Sequence, residues 1–149
     1  MKHNYKRPES VLVVVYTASG EVLMLRRTRP QQFWQSVTGS LEWGENPRQA
    51  AERELFEETG LQAAGSLVDC RQAVRFPIIH PWRRQYRPGA HYNREHWFIY
   101  PLPCRRLITL NPSEHKAFRW LSFQRAARLA TSWSNRDLIR QLAASQVIH

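Results

Sequence analysis

The segment from Asn46 to Leu61 leaves this chain little freedom, because it is marked as a helix at both ends. Asn46 can cap the N-terminus, Pro47 suits the first turn, and Gln49 completes a capping-box spacing with Asn46. Gly60 can take the left-handed conformation that closes a helix, with Leu61 folding back as its apolar contact. The expected helix therefore runs from about Pro47 to Thr59. Six of the twelve acidic residues (Glu42, Glu45, Glu52, Glu54, Glu57, Glu58) fall between positions 42 and 58, although the formal net charge is +10. At 100° per residue Glu54, Glu57 and Glu58 share one arc of the helix, while Ala51 and Leu55 turn a neighbouring stripe to a core. Like charges at that spacing repel, and a hard divalent cation among their oxygens reverses the sign. Carboxylates on one side only suit Mg²⁺, with Mn²⁺ as a substitute, because such ions keep waters and share coordination with phosphates. The plainer reading is a solvated face neutralised by Arg48 and Arg53.

The loop ahead of the helix decides between them. Gly39 is followed by five residues, Glu45, seven residues, and then Arg53-Glu54-Leu55-Phe56-Glu57-Glu58-Thr59-Gly60-Leu61. This pattern resembles the Nudix box, with every fixed position filled. The resemblance implies a hydrolase that cleaves a phosphoanhydride, built on an α/β/α sandwich with a mixed β-sheet. It also implies that Glu54, Glu57 and Glu58 hold metal, and that Gly39 and Glu45 shape the loop and brace Arg53. A late-loop glutamate, here Glu114, is implied to complete the metal site or to act as base. Glu57, Glu58 and Glu114 all stand as candidates for the proton acceptor.

The chain length of 149 residues fits one compact domain, expected over 1–149. Continuous apolar runs are too short to span a membrane, and Met1 to Asn4 lead directly into polar sequence, which speaks against a secretory signal. Cys70 and Cys104 read as ordinary buried thiols in a reducing compartment, the cytoplasm. The six histidines form no zinc pattern. An excess of 22 Lys and Arg over 12 acids attracts phosphates, whether on a small molecule or on nucleic acid.

Along the chain, Ser10 to Tyr16 and Val22 to Arg26 read as a hairpin around Ser19-Gly20, and the unbroken apolar first run suggests a strand covered on both faces. Trp34 suits packing and ligand contact equally. Ser66 to Phe76 reads as one or two strands ended by Pro77, Glu95 to Leu102 as another, Arg106 to Leu110 and Lys116 to Leu121 as two more. The loop from His80 to Gly89 alternates aromatics with Arg83, Arg84 and Arg87, a composition that suits a lid over an aromatic phosphorylated ligand. Phe123 to Ala130 is expected as a helix, and Ser134 with Asp137 as the capping box of the last one.

Short segments outside the box (Tyr5 to Pro8, Val22 to Leu25, Phe33 to Ser40, Asp69-Cys70, Arg87 to Gly89, Ser132 to Arg136) resemble the Nudix enzymes of bacterial folate biosynthesis. Those release pyrophosphate from dihydroneopterin triphosphate and leave the monophosphate. The resemblance implies substrate contacts from Lys6, Arg27, Thr38 and Ser132, a pterin pocket lined by Phe76, Pro77, Ile78 and Ile79, and Mg²⁺ on Glu54, Glu58 and Glu114. Pro77 and Ile79 stand where an acidic and an aromatic residue would be expected. Two other readings stay open at this stage. One is a Nudix hydrolase acting on (d)NTPs or on 5′-triphosphate RNA ends; the other is a non-catalytic basic module that binds nucleic acid.

Overall fold

A computed structural model describes residues 5–63, 65–79 and 82–147. Its centre is β1 (Glu9–Thr17), whose β-branched run pairs with β6 (Tyr92–Leu102) in parallel and with β2 (Glu21–Arg27) and β4 (Val37–Ser40) in antiparallel fashion. β3 (Trp34–Gln35) and β7 (His115–Ser122) join β2, and β5 (Val68–Pro77) lies outside β6, giving one mixed seven-stranded sheet. Both faces of β1 are covered, as its unbroken apolar sequence requires. Val11, Val13 and Val15 pack with Leu55 and Ala51 of α1 (Pro47–Thr59). Leu12 and Val14 pack on the opposite face with α2 (Phe123–Leu129) and α3 (Trp133–Val147), through Ala126, Leu138 and Ile139. Helices therefore lie on both faces of the sheet, the α/β/α sandwich expected from the sequence.

The ends of α1 are built as read. Asn46 Oδ1 accepts from the Gln49 amide at 2.8 Å, and Gln49 Oε1 accepts from the Asn46 amide at 2.9 Å. Such reciprocal capping contributes about 1 kcal/mol. Gly60 closes the helix at φ 78° and donates to the Phe56 carbonyl.

Three expectations are corrected. Arg106 to Leu110 pairs with no strand; Ile108 is buried, and Thr109 donates to the Thr59 carbonyl at 2.9 Å, so the segment covers the end of α1. The last helix is capped two residues earlier than expected, with Ser132 Oγ accepting from the Asn135 amide at 3.2 Å. Cys104 is exposed and Cys70 only partly buried, and both are free thiols. In the expected lid, Trp82–Gln85 form a short 3₁₀ turn, while His80 and Pro81 lie outside the described residues, as do Met1 to Asn4. Among the described residues no helix is long and apolar enough to cross a membrane.

Candidate active site

The loop between β4 and α1 is held by arginines. Arg53 Nε donates to Glu45 Oε2 at 2.8 Å and its Nη2 to Glu45 Oε1 at 2.9 Å, a two-pronged pairing, while Nη2 also reaches the Ser40 carbonyl at 3.0 Å. Glu45 Oε1 also accepts from the Glu42 amide at 2.9 Å, closing the turn from within. Arg7 donates to the carbonyls of Glu42 and Glu45 at 3.1 and 2.8 Å, so this residue braces the loop and does not line the cleft described below. The Glu45 carboxylate keeps Arg53 firmly charged, and Arg53 holds Glu45 below the usual carboxylate range.

Arg53 thereby aims the acidic arc. Its Nη1 lies 3.2 Å from Glu57 Oε1 and 3.4 Å from Glu54 Oε2. Glu57 is on the exposed side of the helix, whereas Glu54 and Glu58 are buried at 8% and 2% exposure. These two carboxyls are hydrogen-bonded to each other. Burial pushes Glu54 up to about 7 against the attraction of Arg53, and burial together with the charges of Glu54 and Glu114 pushes Glu58 well above its ordinary value. Two carboxyls buried this close repel when both are ionised, so a cation between them would relieve both burial and repulsion. Gly39 supplies the room: a Cβ there would stand 1.6 Å from Glu54 Oε2.

Around the pair, the Thr38 amide donates to Glu58 Oε1 at 3.4 Å, and His115 Nε2 lies 3.9 Å from the same oxygen. His115 is buried and held down to about 4, by desolvation and by the charge of Arg27. It is therefore a neutral imidazole at physiological pH, with Gln35 Nε2 3.2 Å from its Nε2. Glu114 is exposed, in the turn before β7. Its charge acts on Glu54, Glu58 and Lys6. Among the described residues no three His, Cys, Asp or Glu side chains already converge as a metal cage. The donor set nonetheless fits a hard cation: oxygen ligands, few in number, with one side left for water and phosphate.

The residues that the resemblance assigned to substrate come together. Lys6, Arg27, Thr38, Phe76, Pro77, Ile78, Ile79 and Ser132 all line one cleft of about 520 Å³, which reaches Gly39 at the end where Glu54 rests. Burial and the neighbouring charge of Arg27 lower the pKa of Lys6, so two cations already crowd this end. Aromatics form the other walls, with Phe76 set edge-on to Trp133 at 6.5 Å between centroids and Phe33 edge-on to Trp82 at 6.0 Å. Trp82 and Tyr86 line the cleft, while Arg83, Arg84 and Arg87 of the same loop do not. Trp34 is settled as packing: it is buried in the core beneath α2 and α3, with Arg119 over its ring.

Sequence reasoning missed the cleft's buried polar floor, formed by Gln35, Asn93, Glu95, Ser134 and Asn135. Of these, Ser134 and Asn135 carried a signal through the Ser132 to Arg136 segment at the start of the last helix, and Asn93 and Glu95 carried none.

Comparison with known proteins agrees with this geometry. The model of the NUDIX domain matches residues 6–142. The chain is 46% identical over 141 residues to the dihydroneopterin triphosphate diphosphatase of Escherichia coli (strain K12), covering 92% of this chain and 93% of that one. It is 38% identical to the protein of the same name from Haemophilus influenzae, covering 92% and 88%. The solved structure of the E. coli dihydroneopterin triphosphate pyrophosphohydrolase superposes with a TM-score of 0.86 at 45% identity, over 93% of this chain and 97% of that one. With the box filled, the sandwich formed around it and the model matched over most of its length, the chain belongs to the Nudix family of hydrolases.

Proposed function

We propose that this protein hydrolyses dihydroneopterin triphosphate to the monophosphate and pyrophosphate, a step of folate biosynthesis, with Mg²⁺ as its metal. Enzymes of this family act on small phosphorylated molecules and generally use divalent metal ions. The observation that carries the reading is the continuity of the cleft, cationic where it meets Glu54 and aromatic-walled where it ends. A triphosphate on a flat bicyclic ring has that polarity. The relatives named for this substrate support the same choice.

In this reading Glu54 and Glu58 are the inner ligands and Glu57 completes the set from the rim, which leaves Glu114 outside it. When bound, Mg²⁺ supplies the positive charge that phosphoryl transfer to water requires. Lys6 and Arg27 hold the outer phosphates, and Arg53 keeps the carboxylates aligned. Glu114, exposed in the turn before β7 and close enough for its charge to act on Glu54 and Glu58, accepts the proton of the attacking water. Thr38 and Ser132 fix the chain between phosphates and ring, and Phe76, Pro77, Ile78 and Ile79 wall the ring itself. The cations of the 82–87 turn that would favour an RNA end lie off the cleft wall, which argues for the small substrate. Two free thiols suit the cytoplasm as the site of action.

Pyrophosphate release with Mg²⁺ tests this directly on dihydroneopterin triphosphate, dATP and 5′-triphosphate RNA. The pterin compound is expected to give the highest kcat/KM, and Glu54→Gln and Glu58→Gln to abolish turnover. Faster turnover of RNA ends or dATP would overturn the substrate, and full activity in both variants would overturn the metal site.

A further inference from the structure

A carboxyl is buried at the floor of the cleft with nothing of opposite charge beside it among the described residues. Glu95 lies in the middle of β6 at 5% exposure and lines the cleft. Trp97 Nε1 donates to Glu95 Oε1 at 3.1 Å, and Ser134 provides a second hydrogen bond. Both partners are neutral. Burial raises the pKa of the carboxyl, and no cation is among the groups acting on it. A carboxylate has about four acceptor positions, so two donors leave it half satisfied. Burying such a group is costly unless something completes its hydrogen bonds.

Asn93 shares the feature. It precedes Glu95 by two residues on the strand, so both side chains face the same side. Its Nδ2 donates to Ser10 Oγ at 2.7 Å, which orients the amide, and its Oδ1 is buried without a hydrogen-bond partner. Asn93 and Glu95 thus place unused acceptors side by side, under walls supplied by Leu12, Phe76 and Trp133. An apolar slot whose unused floor groups, Asn93 Oδ1 and the Glu95 carboxylate, are acceptors selects a flat ring whose edge carries adjacent N–H donors.

We propose that Glu95, with Asn93 beside it, reads the 2-amino-4-oxo edge of the pterin ring. The carboxylate accepts from the 2-amino group and the adjacent ring N3–H as a parallel pair, and Asn93 Oδ1 accepts a further ring or amino N–H. This rests on the pterin reading of the substrate and adds the residues that choose the ring. Phosphate and metal contacts are the same for any triphosphate, so discrimination falls to this floor.

The test uses competitive inhibition of turnover by two phosphate-free rings, 7,8-dihydroneopterin and its 2-deamino-2-oxo analogue, which turns an oxygen toward the carboxylate. The intact protein should bind the amino form at least ~10-fold more tightly, the size of one charge-assisted hydrogen bond. In Glu95→Gln that preference should largely vanish and KM for dihydroneopterin triphosphate should rise ~10–100-fold. Equal inhibition of the intact protein by the two rings, or none by either, overturns the proposal without any variant having to fold. A Glu95→Gln protein that melts earlier but keeps the ring preference also overturns it, leaving Glu95 a purely structural acceptor for Trp97 and Ser134. If the intact protein does not hydrolyse dihydroneopterin triphosphate at all, the substrate reading falls and this inference with it; turnover without ring preference removes only the inference.

Discussion

Gly39 on β4 and Glu54 on α1 occupy the same space, in the sense that a methyl group on the first would stand 1.6 Å from a carboxylate oxygen of the second. The same added atom would lie 2.2 Å from Glu54 Cδ and 2.9 Å from its Cγ, so the whole end of the side chain must swing out. Gly39→Ala should therefore lower kcat/KM by at least ~100-fold, the scale of a misplacement of about 1 Å at a reacting centre. Steady-state kinetics with saturating Mg²⁺ checks this, and activity within threefold of the parent would show that the Glu54 position is not critical.

Arg53 is held by geometry as well as by charge. Lysine at this position keeps the charge and loses the planar fork that engages both oxygens of Glu45. Arg53→Lys should cut kcat by roughly 10–100-fold through a loosened Glu54 and Glu57, with the loop's hydrogen bonds to Ser40 and Glu45 partly lost. Unaltered kcat in this variant would mean that the fork does not transmit its geometry to the carboxylates.

The features legible in the sequence are those whose physics is local. The caps of α1 need only neighbours in the chain, and the spacing of Glu54 and Glu58 is a property of any helix. What could not be read required a partner from far along the chain. Glu95 looks like an ordinary solvent-facing strand residue until Ser10 pairs opposite it and Ser134 arrives from α3. Arg106 to Leu110 has strand-like composition, but its Thr109 amide is taken by the Thr59 carbonyl and Ile108 is buried in the core at the end of α1, so the segment joins no strand. Three acids on one arc was correct as geometry, yet burial divides them: Arg53 draws Glu57 outward, and Gly39 admits Glu54 inward.

The buried pair sets a pH dependence with a definite sign. Glu54 is held at about 7 in the folded protein, against 4.5 in a free chain, so the native state binds the extra proton. Stability from this source is full below 4.5 and is lost as pH rises through about 7. His115, held down to about 4 against its free value of 6.5, acts in the opposite direction at low pH. Comparison with Glu54→Gln reports on the pair, because Glu58 takes part of its own rise from Glu54. In chelator at pH 8 the variant should be more stable than the parent by up to about 3 kcal/mol, and near pH 4 the difference should disappear. Added Mg²⁺ at pH 8 should raise the melting temperature of the parent and not of the variant. Chemical denaturation at both pH values decides it, and a variant less stable than the parent at pH 8 without metal would contradict the burial argument.

Asn135 ties the start of α3 to the segment that carries the metal loop. Its Oδ1 accepts from the Ser36 amide at 2.7 Å and its Nδ2 donates to Ser36 Oγ at 2.9 Å, with both residues fully buried. Ser36 lies between β3 and β4, one residue before the strand that brings Thr38 and Gly39 to the carboxylates, while Ser132 and Trp133 at the other end of this link wall the cleft. Asn135→Ala removes the bridge and strands a backbone N–H and a hydroxyl away from water. Each such loss costs about 1–3 kcal/mol, so urea unfolding should show a destabilisation of about 2–6 kcal/mol. Because the link also sets the distance between the ring walls and the phosphate end, KM for the triphosphate should rise alongside. A drop in stability with KM unmoved would confine Asn135 to holding the fold, whereas a KM rise exceeding any kcat loss would show that the cleft is spaced through Ser36.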